Sequence, residues 1–270
     1  MSHPQLSIQL YSVREDLAND LDGTLHRIAD LGFTNVESFG FVDRASQLRR
    51  SFDAAGLRSP SGHASFLSDQ LEPGAARTQV PAIEHVLDEA ATLGVEILID
   101  PFVAGAFWLQ PNEVERTAER LNSYVDLAAE RGIRLGYHNH SHEFHHSFEG
   151  VTALELFARH LDPRIVLEID VFWAAIGRQD VVGLLGRLGD SVRLLHAKDG
   201  VIGDDPQLQN GGEVTLDQRP AGEGDLDIPA FLGAAPQVEY AVVEFDEFDG
   251  DLFSAIDASG KYLRSIGVQA

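Results

Sequence analysis

Two kinds of hydrophobic pattern alternate along the whole chain. Continuous apolar runs such as Ile97-Leu98-Ile99 and Ile165-Val166-Leu167 are typical of strands that are covered on both faces. Apolar residues at helical spacing, for example Leu121, Val125 and Ala128, predict helices that turn one face to the core. The alternation predicts an α/β protein with a buried parallel sheet.

Several predicted helices end at a glycine, and the apolar residue that follows begins the next strand. These glycines are Gly32, Gly56, Gly94 and Gly132. Strands are predicted near residues 6–11, 33–38, 57–62, 95–100, 133–138, 165–170, 192–196 and 240–245. Helices are predicted near residues 16–31, 43–55, 79–93, 112–131, 150–160, 179–188, 228–235 and 252–266. Eight uninterrupted alternations predict a (β/α)8 TIM barrel that forms one domain over residues 1–270.

Composition narrows the classes of partner and the kind of site. A chain of 270 residues with 44% hydrophobic residues can bury one large core. A formal net charge of -23 argues against nucleic acid and anionic lipid as partners. The chain has no cysteine, so any bound metal must rest on nitrogen and oxygen ligands.

The beginning of the sequence has neither a basic segment nor a long apolar one, and no apolar run is long enough to span a bilayer. These features predict a cytoplasmic protein. The sequence leaves the oligomeric state open, and a homo-oligomer is compatible with it.

Four predicted strands end in residues that can bind a divalent metal. These residues are His138 and His140 with Glu143 just beyond, Asp170, His196, and Glu244. A parallel barrel brings the carboxyl ends of its strands to one face, where such ligands can meet. The convergence predicts a metal-dependent enzyme that acts on a small oxygen-rich molecule, with Mn, Mg, Co or Zn as the metal.

Strand parity separates the five histidines between residues 138 and 146. Leu135 and Tyr137 should face the helices, which leaves His138 and His140 facing the barrel mouth. The other members of this cluster are expected to be exposed loop residues: His142, His145 and His146. Glu168 shares the inward parity of Asp170 and is expected to be a deeper support or a substrate contact, because a buried carboxylate needs a partner.

Further candidates lie around the same face. A long loop at about residues 197–227 follows the predicted strand that ends at His196 and is expected to be a lid or part of a substrate pocket, the alternative being a surface insertion. His63 is expected to bind substrate hydroxyls. Glu37 and Trp173 are expected either to line the pocket or to support it by packing.

The sequence resembles the xylose-isomerase-like TIM-barrel superfamily, which includes sugar phosphate isomerases and epimerases, along essentially its whole length. The resemblance rests on the order and spacing of Ile8-Gln9-Leu10-Tyr11-Ser12, Tyr137-His138-Asn139-His140, Glu168-Ile169-Asp170, His196-Ala197-Lys198-Asp199, Gly222-Glu223-Gly224-Asp225 and Val243-Glu244.

The resemblance implies metal ligands at Asp170, His196 and Glu244. The first ligand of the family, a glutamate after the fifth strand, has no direct counterpart here. Either Glu143 folds back to the metal or His138 takes that place.

The resemblance also implies a reaction. A metal that binds a carbonyl oxygen and a neighbouring hydroxyl stabilises an enediolate, which a positioned base forms by removing the proton between them. His140 or His138 is the expected base, with Glu244 next in line. Lys198 is expected to neutralise the oxyanion and Asp199 to orient it, the alternative for this pair being a solvated salt bridge.

Together with these residues, the resemblance implies an isomerase or epimerase of an unphosphorylated sugar or keto-sugar. A metal-dependent lyase or dehydratase acting on a keto-sugar or keto-glycoside is the alternative. An abasic-site endonuclease, which needs a basic groove, and a noncatalytic sugar-binding barrel are less favoured.

Overall fold

The computed structural model describes residues 3–70, 73–77, 80–205 and 216–270. Within these ranges, eight parallel strands form one closed barrel in which each strand pairs with the next and β8 pairs with β1. The strands are β1 (Gln5–Gln9), β2 (Asn35–Phe39), β3 (Arg58–His63), β4 (Ile97–Asp100), β5 (Arg134–His138), β6 (Val166–Asp170), β7 (Val192–His196) and β8 (Tyr240–Val243).

Helices surround the barrel. They are α1 (Arg14–Asn19), α2 (Leu21–Asp30), α3 (Ala45–Ala55), α4 (Ile83–Leu93), α5 (Pro111–Asn122), α6 (Val125–Ala129), α7 (Ala153–His160), α8 (Val171–Ile176), α9 (Val181–Leu188), α10 (Ile228–Ala234) and α11 (Leu252–Ser265). No helix in the described part of the chain combines the length and the apolar character needed to cross a membrane. The predicted (β/α)8 TIM barrel is confirmed.

The structure differs from the predicted helices at three places. The helix predicted at 16–31 is divided at Asp20, whose backbone is extended and whose carboxylate caps α2 by accepting the Gly23 N–H. The helix predicted at 112–131 is divided after Asn122, where the Ser123 hydroxyl donates to the Arg120 carbonyl. Helix α8, which was not predicted, begins directly after β6 because Asp170 accepts the Trp173 N–H.

Side chains of the barrel strands form two separate apolar layers. Leu135 and Tyr137 of β5 belong to the large core between strands and helices. A smaller cluster fills the interior of the barrel and consists of Ile97, Ile99, Val166, Leu194, Tyr240 and Val242. The parity predicted for β5 is therefore confirmed, and His138 lies on the interior side.

The register of the strands brings the interior polar residues to a common level. His138 is paired with Glu168 across β5 and β6, and Asp170 is paired with His196 across β6 and β7. On the other side of the barrel Gln9 is paired with Glu37. These polar residues therefore meet above the apolar interior cluster, at the carboxyl ends of the strands.

The loop predicted at about 197–227 connects β7 to α10. Asp199–Gly200 at its start pairs with Gln218–Arg219 near its end in a short antiparallel ladder. The Asp199 carboxylate accepts N–H groups from Gly222, Gly224 and Leu226. These bonds bring both ends of the loop together on the carboxyl face, while residues 206–215 lie outside the described residues.

Candidate metal centre

Two buried carboxylates and a histidine form the floor of the site. His63 Nε2 lies 2.6 Å from Glu168 Oε2 and 3.1 Å from Glu37 Oε1. Burial opposes the charge on His63, but both carboxylates outweigh it and raise the pKa of His63 to about 10. The floor therefore holds a protonated imidazole between two carboxylates at neutral pH.

Two further histidines lie within hydrogen-bond distance of these carboxylates. His138 Nδ1 lies 3.0 Å from Glu168 Oε2, and His196 Nε2 lies 2.8 Å from Glu37 Oε1. The opposite nitrogen of each ring faces the acidic residues at the ends of β6 and β8. His196 Nδ1 is 2.7 Å from Glu244 Oε2, and His138 Nε2 is 3.9 Å from Asp170 Oδ2. A histidine whose second nitrogen is fixed by a carboxylate is the usual arrangement of a metal ligand.

Asp170 and Glu244 complete a group that fits a divalent cation. Ligand atoms of Asp170, His196 and Glu244 all lie within 4.8 Å of one another, and all three residues are buried. Asp170 Oδ1 accepts the Trp173 N–H, whereas Asp170 Oδ2 is buried without a hydrogen-bond partner in the described residues. A buried carboxylate oxygen without a hydrogen bond is a position that a cation can satisfy.

A second group of potential ligands is formed by His63, His138, Glu168 and His196. In this group a single oxygen, Glu168 Oε2, already lies within hydrogen-bond distance of His63 and His138. These bonds fix the rings and leave their other nitrogens directed elsewhere. His63, His138 and Glu168 therefore support a second set of residues, Asp170, His196 and Glu244, which we call the outer group. The outer group is the better candidate for the metal.

Lys198 lies beside the outer group. Its ammonium donates a hydrogen bond of 2.8 Å to Asp246 Oδ2 and also lies 2.9 Å from Asp170 Oδ2 and 2.7 Å from Glu244 Oε2. Burial opposes its charge, but these carboxylates raise the pKa of Lys198 well above its usual value. Lys198 is thus a buried cation within a carboxylate cluster, in place of the solvated salt bridge that the sequence left open.

His140 lies at the mouth of the site with an unengaged ring nitrogen. Its Nδ1 is buried and has no hydrogen-bond partner within the described ranges. Burial, His142 and Lys198 lower the pKa of His140 well below its usual value. The ring packs edge-on against Phe102 with ring centroids 5.6 Å apart. A neutral imidazole with a free nitrogen can accept a proton.

A cavity of about 520 Å³ opens onto the site. Its polar side is formed by His63, His138, His140, Glu244 and Asp246, and its apolar side by Tyr11, Phe39, Val42, Pro81, Pro101 and Phe102. Tyr11 and Phe102 are 41% and 42% exposed, which is unusual for large apolar side chains in this protein. Neither lysine nor arginine lines the cavity among the described residues.

Glu143, one of the two predicted alternatives for the first ligand, is buried elsewhere. Its carboxylate accepts the Tyr137 hydroxyl at 2.7 Å and the His140 N–H at 2.9 Å. The structure does not bring Glu143 into either group of potential ligands in the described residues. The expectation that His142 is exposed is wrong, because its ring is buried and Nε2 bonds the Val103 carbonyl.

The structure places the remaining predicted residues behind the site. Trp173 packs against His140 with ring centroids 5.6 Å apart, and Asp199 is occupied by the backbone N–H groups of the loop. Sequence reasoning missed Gln9, which donates to Glu37 at 2.8 Å, and Asp246, which anchors Lys198. The inward parity of Gln9 and the two-residue spacing from Glu244 to Asp246 were the available signals.

Comparison with known families identifies the fold. The sequence profile of the xylose isomerase-like TIM barrel family matches residues 25–262. The chain belongs to this family. No curated protein matches the sequence significantly.

Solved structures with the same barrel cover nearly the whole chain. A sugar phosphate isomerase/epimerase from Parabacteroides distasonis ATCC 8503 is 24% identical with a TM-score of 0.77, over 98% of this chain and 95% of that chain. An IolI protein with a bound zinc atom is 16% identical with a TM-score of 0.69, over 97% of both chains. A probable 3-DHS dehydratase, AsbF from Bacillus anthracis, is 13% identical with a TM-score of 0.68, over 96% and 98% of the chains. At these identities the likeness concerns the fold.

Proposed function

We propose that this family member is a divalent-metal-dependent enzyme that moves a proton next to the carbonyl of an uncharged sugar, as an isomerase or epimerase. The observation that carries the proposal is the convergence of Asp170, His196 and Glu244 from three strand ends, with Glu244 lining an open cavity. Sugar isomerases and epimerases among the proteins of the same fold support this reaction class.

The metal would be held by Asp170, His196, Glu244 and His138. His138 is preferred to Glu143 as the fourth ligand because its Nε2 faces Asp170 while Glu168 fixes its Nδ1. When bound, the metal supplies Lewis acidity that stabilises the negative charge on an enediolate oxygen. The nitrogen and carboxylate ligands are compatible with Mn, Mg, Co and Zn.

Proton transfer falls to two histidines that line the cavity. His140 is held neutral and lines the cavity, and a neutral imidazole can accept the proton from the sugar carbon. His63 is held protonated by Glu37 and Glu168 and can donate a hydrogen bond or a proton to a substrate oxygen. The site therefore offers a base and an acid in fixed protonation states.

The substrate class follows from the cavity lining. The described lining of the cavity includes neither arginine nor lysine, the side chains that most often bind a phosphate, and the net charge of -23 disfavours anionic substrates. The aromatic side formed by Tyr11, Phe39 and Phe102 can cover the apolar face of a sugar ring. We propose an unphosphorylated sugar or keto-sugar as the substrate.

Elimination is the second candidate reaction, and the protonated His63 favours it. A dehydratase must protonate the hydroxyl that leaves, and His63 faces the cavity as an imidazolium. A neighbour of the same fold is described as a probable dehydratase. Nuclear magnetic resonance of the product separates the two candidates, because elimination yields an unsaturated product and isomerisation keeps all oxygens.

Exchange of substrate protons in deuterated water tests the proposal. The parent protein is expected to exchange one C–H proton of a keto-sugar only when Mn²⁺ is present. Asp170→Asn is expected to lose both exchange and Mn²⁺ binding, while the asparagine oxygen still caps α8 and keeps the fold. Metal binding without exchange of any sugar proton would instead favour a noncatalytic sugar-binding barrel.

A further inference from the structure

Lys198 contacts the oxygens that a metal would need. Its ammonium lies 2.9 Å from Asp170 Oδ2 and 2.7 Å from Glu244 Oε2. Asp170 Oδ1 is already bonded to the Trp173 N–H, so Oδ2 is the oxygen left for a cation. Glu244 Oε2 is also the oxygen that faces His196 Nδ1 at 2.7 Å. The ammonium and a metal ion would therefore compete for Asp170 Oδ2 and for the Glu244 carboxylate.

The contacts of Lys198 differ in kind. Only the contact with Asp246 Oδ2, at 2.8 Å, has the geometry of a hydrogen bond. Asp170 Oδ2 has no hydrogen-bond partner in the described part of the chain although the ammonium is within ion-pair distance. The ammonium is thus hydrogen-bonded to Asp246 and ion-paired with the two ligand oxygens. Loss of those two attractions would leave its one directed bond intact.

We propose that the Lys198 ammonium occupies the position of the divalent cation in the metal-free protein and is displaced when the metal binds. Its hydrogen bond to Asp246 then keeps the lysine at the edge of the cavity. This inference rests on the proposed function, because it assumes that Asp170 and Glu244 bind the metal. It explains how two buried carboxylates remain stable before the metal is loaded, since bare charges at these positions would be costly.

The displaced ammonium acquires a second role at the cavity. Asp246 and Glu244 both line the cavity, so a lysine that keeps its bond to Asp246 while leaving Glu244 and Asp170 faces the substrate space. There it can donate to a substrate oxygen that gains negative charge. Metal loading and the exposure of this cation are therefore coupled.

The metal affinity of Lys198→Met tests the competition. The chain has two lysines, and Lys261, which is 69% exposed and pairs with Asp257 on α11, belongs to neither group of potential ligands, which makes Lys261→Met a matched control. Mn²⁺ titration calorimetry is expected to show at least about tenfold tighter binding in Lys198→Met, because the competing positive charge is gone. Lys261→Met should bind Mn²⁺ like the parent. Unchanged or weaker binding in Lys198→Met overturns the proposal.

Amine labelling of the parent protein tests the displacement without any variant. The Lys198 side chain is 1% exposed and that of Lys261 is 69% exposed. After brief acetylation and peptide mass spectrometry, Lys261 is expected to be modified with or without Mn²⁺. Lys198 is expected to be protected in the metal-free protein and modified at saturating Mn²⁺. Equal protection of Lys198 in both states overturns the proposal.

The outcomes separate this inference from the proposed function. Tight Mn²⁺ binding by the parent together with an unchanged affinity in Lys198→Met overturns the role of Lys198 and leaves the metal centre standing. Absence of Mn²⁺ binding in both proteins overturns both. Tighter binding in the variant and metal-dependent labelling of Lys198 support both.

Discussion

At the scale of single residues, the site is ordered by pairing His63, His138 and His196 with buried carboxylates. Glu168 fixes His138, and Glu37 fixes His196. Each pairing leaves one ring nitrogen for the outer side of the site. His140 stands apart because its ring has no carboxylate partner, and burial keeps it neutral with a lowered pKa. The histidines thereby divide into proposed ligands, an acid and a base.

The two alternatives for the first ligand can be separated by substitution. His138→Gln is expected to weaken Mn²⁺ affinity by more than about tenfold because the variant loses a fixed ring nitrogen. Glu143→Gln is expected to leave the affinity near that of the parent, since its carboxylate bonds Tyr137 and the His140 backbone. Titration calorimetry measures both. The opposite order would make Glu143 the ligand.

His140 is expected to act in turnover and not in binding. His140→Asn, of similar size but unable to accept the proton, should lower the turnover rate by about 10²–10⁴-fold and keep the Mn²⁺ affinity of the parent. Steady-state kinetics and calorimetry check the two parts. Near-normal turnover in this variant would place the base elsewhere, with Glu244 and His138 next in line.

Strand parity predicted which residues point into the barrel. It did not predict the contacts of residues that lie beyond the strand ends. Glu168 and Asp170 alternate along β6, so their common direction follows from the strand period. The sequence left Glu143 and His138 as alternatives because Glu143 lies beyond β5, in a short turn whose path is set by contacts with Tyr137 and Val103. Strand periodicity carries no information about such a turn.

At the scale of elements, strands such as β4 were predictable because they are buried apolar runs, whereas β3 has no apolar run and was predictable because it follows the glycine that ends α3. The predicted helix boundaries were wrong where a single capping side chain interrupts the hydrophobic pattern. Asp20 divides the first predicted helix by capping α2, and Asp170 starts α8 immediately after β6. An aspartate within an amphipathic stretch can face solvent or cap a helix, and the hydrophobic pattern is the same in both cases.

Asp199 organises the loop between β7 and α10. Its buried carboxylate accepts N–H groups from Gly222, Gly224 and Leu226 as well as from Gly200. Asp199→Ala is expected to lower the free energy of unfolding by about 2–4 kcal/mol because these four N–H groups, three of them in partly buried bonds, lose their charged acceptor. Urea unfolding measures the change, and Asp217→Ala, at an exposed aspartate of the same loop, is the control. An equal effect in both variants would contradict the assignment.

At the scale of the whole molecule, the two ends of the barrel have different roles. The carboxyl end carries the site, and the amino end is bridged by an ion pair between strands that are not neighbours. Arg134 at the start of β5 donates two hydrogen bonds of 2.7 Å to Glu239, which precedes β8. The pair ties opposite sides of the barrel together.

This ion pair predicts a pH-dependent contribution to stability. Hydrogen bonds from Arg134 lower the pKa of Glu239, so the contribution is present above the unfolded pKa of about 4.3 and is lost as the pH falls through the folded value. Because the pair is partly exposed, Glu239→Gln should cost at most about 1 kcal/mol at pH 7. Denaturant unfolding of parent and variant should show this difference shrinking toward pH 3. A constant difference would exclude an ionic origin.

We propose that the ends of β6, β7 and β8 together form a divalent metal site. An anomalous difference map from a crystal soaked in Mn²⁺ tests it most directly. We expect one strong peak bonded to Asp170, His196 and Glu244, with His138 as the fourth protein ligand. A peak bonded instead to His63 and Glu168 in the floor of the site, or no peak within reach of Asp170 and Glu244, would show that these strand ends do not form the metal site.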